Sequence, residues 1–246
     1  MFAPSPASGR HIEPEPDDPT PDPGLAEFLN RLSDEARSHR AVTHEWLDVF
    51  LSGDVDDVRR ALRDIGHTHV GFVAWIPAML QTVSSRCEDG RDRESLEHAQ
   101  SIEYGDRGKP ARRRLLRRFC ADVGLTEWDL QHLPIAAAHW RSSVQRRLAV
   151  ESAEFGVGVL GPGLADIASA IYSRVIIGCS RFPEFEQLDL TFFRSHVPDG
   201  TDPHQRQLTA LTRRMSTSTR ARAELRRGML FGLDARVAVW DSLTGR

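Results

Sequence analysis

From Leu25 to the C-terminus the apolar residues recur at the spacing of an α-helix and show no sustained strand-like alternation. Nothing else in the chain constrains its fold so strongly. Leu25, Phe28, Leu29 and Leu32 fall at i, i+3, i+4 and i+7, and Trp46, Leu47, Phe50 and Leu51 resume the pattern after a break. Side chains at these offsets share one helix face, so each segment carries an apolar stripe that must be buried against a neighbour. A long helix is expected from Asp54, with Val55, Val58, Leu62 and Ile65 on its stripe. It runs on to a kink at Pro77, where the ring lacks the N–H that continues the hydrogen-bond ladder. Further helices are expected at 92–104, 109–123, 126–132, 135–155, 162–178, 186–196, 203–216 and 218–243. No pair of alternating runs is joined by a hairpin turn, so no sheet is expected. The chain reads as an all-α bundle of about seven to nine helices over residues 24–246.

Residues 1–23 hold much of the proline and almost no apolar surface, and are expected to form a disordered tail. The formal charge of -3 gives no overall attraction to phosphate, so no nucleic-acid partner is expected. The run from Ala111 to Phe119, ARRRLLRRF, reads as a helix with Arg113, Arg114, Arg117 and Arg118 in solvent and Leu115, Leu116 and Phe119 inside. No uninterrupted apolar run approaches the roughly 20 residues that span a bilayer, and the N-terminus lacks the order of a signal peptide, so neither membrane residence nor export is expected. Cys87, Cys120 and Cys179 are widely spaced and read as reduced core thiols of a cytoplasmic protein. Gly156, Gly158 and Gly161 have the spacing of a dinucleotide-binding fingerprint, yet they follow a helical segment where that motif needs a strand. Close helix packing explains them better.

Chemistry concentrates in Thr191 to Gln207, TFFRSHVPDGTDPHQRQ, which holds His196, Asp199, Asp202 and His204. Imidazole and carboxylate are ligands that iron, manganese and zinc accept. The competing reading makes Pro198, Asp199 and Gly200 a turn and Asp202 the N-cap of a helix that starts at Pro203. Glu103, in EHAQSIEYGD, is the candidate to face these histidines from another helix. His67 and His69 lie two apart and point to different faces, so they are not expected to bind one ion together.

The order of IPAML, IEYGD, LLRRFCADVGL, GPGLADIASAIYSRVIIG and FFRSH, with a second histidine eight positions after the first, resembles the heme-oxygenase-like diiron oxidases and oxygenases across about residues 25–243. That family shares its fold with thiaminase II and the pyrroloquinoline-quinone synthase. The resemblance implies a heme-oxygenase-like bundle with one or two iron ions held by Glu103, Asp166, His196, Asp202 and His204. It also implies dioxygen and a small metabolite, an amino acid or amine of a bacterial biosynthetic pathway, as partners of an iron-dependent oxidase or oxygenase; a homodimer is compatible with it. The sequence departs from the family pattern where a histidine is expected shortly after Glu103, because Pro110, Ala111, Arg112, Arg113 and Arg114 stand there. Asp166 is the carboxylate available where the family has a glutamate, and Gly200 stands where it has an aspartate. An arginine turned inward removes a nitrogen ligand and repels a dication. The alternative is therefore a metal-free or catalytically silent member that binds a small molecule or a partner protein.

Overall fold

The computed structural model describes residues 23–105, 108–197 and 202–244. The expected N-terminal tail and the expected turn at Pro198, Asp199 and Gly200 lie outside the described residues. Within them all regular structure is helical. Ten helices have eight residues or more: α1 (Pro23–Ser38), α2 (Val55–Val73), α3 (Ile76–Ser84), α4 (Gly90–Tyr104), α5 (Arg112–Asp122), α6 (Ile135–Leu148), α7 (Ala153–Leu160), α8 (Asp166–Ser180), α9 (Pro203–Met215) and α10 (Thr219–Thr244). Counting α2 and α3, which meet at the expected break before Pro77, as one kinked helix gives nine.

Local chemistry fixes the ends. Asp54 caps α2, its Oδ1 accepting from the backbone N–H of Asp56 and Asp57 at 3.0 and 2.9 Å, and Asp89 caps α4 in the same way. Each cap satisfies N–H groups that the first turn leaves without helical partners. The expected helix over 186–196 is reduced to a single turn, Thr191–Arg194. Its Phe192 and Phe193 are buried and anchor the segment that carries His196.

One continuous hydrophobic core runs through the bundle. Between α7 and α8 the chain forms a π-helical turn, Gly161–Ala165, around Pro162. The apolar stretch Ala153–Ser180 that contains this turn is long and apolar enough to cross a membrane, and here 78% of its most apolar window is buried inside the bundle. The glycines of the fingerprint-like segment serve close packing: Gly156 faces Val83 of α3, Gly161 faces Thr212 of α9, and Gly158 sits where α7 packs on α10. A Cβ at Gly158 would lie 2.1 Å from the carbonyl oxygen of Leu225, and one at Gly228 would lie 2.0 Å from that of Phe155. These are backbone atoms in the middle of helices and cannot move aside. Gly228→Ala should therefore cost about 3 kcal/mol or more in urea denaturation, whereas Gly90→Ala, which meets nothing within 4 Å, should change stability by less than about 0.5 kcal/mol.

Candidate functional site

Five polar side chains from three parts of the chain meet on the axis of the bundle. Glu103 lies in the last turn of α4, on the stripe of Leu96 and Ala99, all three buried. Gly105 ends that helix with φ +96°, and a Cβ there would stand 2.6 Å from the carbonyl oxygen of Lys109. The reversal returns the chain to the same end of the bundle, where α5 begins with Arg112. Arg112 shares its helix face with Leu115, Leu116 and Phe119 and is buried with them, while Arg113 and Arg114 are exposed. His196 follows the turn anchored by Phe192 and Phe193, and Asp202 and His204 stand at the start of α9.

The Arg112 guanidinium is the centre of this group. Its Nη1 is 2.5 Å from His196 Nε2, its Nη2 donates to Asp202 Oδ1, and its Nε is 3.2 Å from Glu103 Oε1. Guanidinium only donates, so His196 Nε2 accepts and the imidazole proton sits on Nδ1, which donates to the carbonyl oxygen of Phe192 at 2.8 Å. Edge contacts hold the ring in place: its centroid is 5.0 Å from that of Tyr172 and 4.9 Å from that of Phe192. Asp202 Oδ1 also accepts the backbone N–H of His204 at 3.0 Å. One oxygen thus caps α9 and pairs with Arg112.

Burial sets the charges. It pushes the Glu103 carboxyl up to about 7, against the opposing pull of Arg112. Burial and the nearby Arg112 charge push His196 down to about 4 and His204 down to about 3, so both are neutral at physiological pH. Asp202 stays below its ordinary value because the pull and hydrogen bond of Arg112 outweigh its burial. The Glu103 contact with Arg112 lacks hydrogen-bond alignment. Neither Glu103 oxygen has a hydrogen-bond partner among the described residues, nor does His204 Nε2, which lies 3.5 Å from Glu103 Oε1.

These residues line a cavity of about 50 Å³ whose other walls include His69, Phe72, Tyr172 and Arg236. At roughly 10–15 Å³ per water-sized occupant, it admits a few water molecules or a ligand of a few heavy atoms.

Of the five expected ligands, Glu103, His196, Asp202 and His204 share this cavity, and Asp166 does not. The face of the π-helical turn and α8 that lines it carries Leu164, Ala165, Ala168 and Tyr172. Asp166 lies on the other side of α8, where its Oδ1 accepts from Thr209 at 3.2 Å and Gln205 at 3.5 Å. Asp166 therefore stands apart from the cavity that the other four line. The remaining donors do not suit an iron ion. Arg112 already occupies His196 Nε2, the atom that would bind metal, and pairs with the nearest carboxylate, leaving a fixed positive charge where a dication would sit. Among the described residues His44, Glu45 and Asp241 do bring three ligand-type atoms within 4.8 Å. Arg40 lies 3.1 Å from His44 Nε2 and 2.7 Å from Asp241, which makes that group an ion-pair cluster.

Tyr172 and Arg236 line the cavity although neither is among the expected site residues, and so does His69, which is not expected to bind an ion jointly with His67. A signal existed for Arg236 and for His69. Arg236 falls on the stripe of Met229, Leu233, Val239, Trp240 and Leu243, and His69 on that of Leu62, Ile65 and Phe72, all buried. A polar residue inside an apolar stripe marks a position where burial must be compensated.

No family model and no curated protein matches the sequence. Solved structures do share its fold. A TenA homologue from Pseudomonas syringae pv. tomato aligns with a TM-score of 0.71 and 14% identity over 91% of this chain and 94% of its own. A CADD-like protein of unknown function from Nostoc punctiforme gives 0.67 and 13% over 90% and 95%. A Shewanella denitrificans domain of unknown function, described as having a heme oxygenase-like fold, gives 0.66 and 11% over 90% and 91%. The chain has the heme-oxygenase-like fold.

The buried charges dictate how stability follows pH. Between about pH 4 and 6.5 the unfolded chain protonates histidines that the folded site keeps neutral, so stability should rise with pH across that range. Glu103 acts in the opposite sense. From about pH 4.5 to 7 the folded chain holds a proton that the unfolded chain releases, so this carboxyl lowers stability as pH rises. Glu103→Gln removes that second effect, and the variant should gain on the parent by on the order of 3 kcal/mol between about pH 4.5 and 8 in urea titrations. Identical pH profiles for the two proteins would contradict the account.

Proposed function

We propose that this protein binds a small metabolite in its central cavity without a metal ion, and that Glu103 exchanges a proton with the bound molecule. The observation that carries this reading is the Arg112 guanidinium seated between His196, Asp202 and Glu103. An iron-dependent oxidase would need His196 Nε2 and the neighbouring carboxylate as ligands, and both already serve Arg112. Fold likeness does not choose between the two activities, since one fold hosts many chemistries.

Glu103 supports the second half of the proposal. A carboxyl held near pH 7 is matched to proton transfer under physiological conditions; Glu103 lines the cavity, and its oxygens have no hydrogen-bond partner among the described residues. Its neighbour His204 is neutral and offers Nε2 as a second polar atom. Arg112 and Asp202 supply a fixed field around both, and the aromatic and aliphatic walls keep bulk water away from the exchanging proton.

Anaerobic titration with Fe(II) or Mn(II), followed by elemental analysis and thermal unfolding, tests the metal-free reading. The native chain should take up substoichiometric metal and show no metal-dependent rise in Tm. Arg112→His removes the positive charge and frees Asp202, so that variant should bind roughly one ion per chain and gain thermal stability from it. One or two iron ions on the native chain, lost in His196→Ala, would overturn the proposal.

A further inference from the structure

Two arginines are buried among the described residues, and they are not treated alike. Arg112 faces Glu103 and Asp202, whereas Arg236, on α10 in the wall of the same cavity, has no carboxylate partner among the described residues. Its one side-chain hydrogen-bond contact is Nη1 to His69 Nε2 at 3.4 Å, and its Nε is shielded and has no partner. Arginine keeps its charge in proteins, and a buried charge without a counter-ion is expensive unless something pairs with it. Neither neighbour can be that counter-ion. Burial and the adjacent Arg236 hold His69 well below its ordinary value, so it is neutral. Burial pushes the Tyr172 hydroxyl up to about 12, so it remains a donor.

The guanidinium is also held in a fixed pose. It lies 4.5 Å from the centroid of Phe72 and 5.4 Å from that of Trp240, contacts that restrain its plane and leave its N–H edge for a partner. The cavity beside it, about 50 Å³, has apolar walls of Leu160, Leu164 and Ala168.

We propose that the cavity is a binding site for a small monocarboxylate, whose oxygens accept from the Nη2 group of Arg236, unpartnered among the described residues, and from the hydroxyl of Tyr172. Its short alkyl end lies against Leu160, Leu164 and Ala168. The assignment names the ligand class of the cavity and so rests on the metal-free reading, because a bound cation would supply the opposite charge to the same space.

The test uses the full chain, first shown by elemental analysis to be free of metal, so that metal retention would count against the earlier proposal separately. Sodium propionate and its neutral isostere propionamide are titrated at constant ionic strength, with Tm and calorimetric affinity as readouts. Propionate should raise Tm in a dose-dependent way and propionamide should not. Arg236→Gln should lose at least about tenfold in propionate affinity, and its ligand-free Tm should equal or exceed that of the parent because the uncompensated charge is gone. Tyr172→Phe should weaken propionate binding severalfold without changing the discrimination against propionamide. A native chain that binds propionate no better than propionamide overturns the proposal even if a variant fails to fold. So does a folded Arg236→Gln that keeps the native affinity.

Discussion

The Arg112 guanidinium is the interaction on which the rest of the site depends. A buried charge must find opposite charge and hydrogen-bond acceptors or leave the interior, and here it finds Asp202, Glu103 and the Nε2 lone pair of His196. Each partner is in turn fixed by the fold. Asp202 caps α9, His196 is tied to the Phe192 carbonyl, and Glu103 sits in the final turn of α4 before the glycine reversal at Gly105. One side chain therefore joins α4, α5, the segment after Phe193 and the start of α9, and it determines which lone pairs remain available. What remains is one carboxyl near neutrality and one neutral imidazole, a set suited to moving a proton and poorly suited to holding a dication.

Charge in the cavity is organised around two poles. At one, Arg112 is matched by Asp202 and by Glu103. At the other, Arg236 rests on the faces of Phe72 and Trp240 with a neutral histidine beside it and no acid. The apolar walls between them lower the local dielectric, which strengthens any interaction made inside and raises the cost of any left unmade. An anionic ligand completes that arrangement, and a cation opposes it.

Much of this was legible in the residues. Helical spacing gave the all-α bundle and the break at Pro77, and the cap at Asp202 was one of its two readings, because those features rest on local rules of period and backbone donors. Asp202 was open to two readings, cap or ligand, and the structure joins the first to an ion pair with Arg112. The gathering of Glu103 with His196 and His204, some ninety to one hundred residues away, came from resemblance, since no local rule brings separate helices together. The inward turn of Arg112 was foreseeable in principle: it stands three, four and seven residues before Leu115, Leu116 and Phe119. The sequence raised an inward arginine among Arg112, Arg113 and Arg114 without choosing between them, and the structure places Arg112 there. Asp166 stands away from the cavity because the π-helical turn before α8 sets a register that spacing alone does not reveal.

The account stands or falls on what occupies the space between His196 and Asp202. A crystal structure of the protein grown anaerobically with excess Fe(II), with anomalous diffraction recorded at the iron edge, addresses this directly. The account predicts guanidinium density joining His196 Nε2 to Asp202 and no anomalous peak in the cavity. An iron peak bound by His196 and His204, with Arg112 displaced, would contradict it.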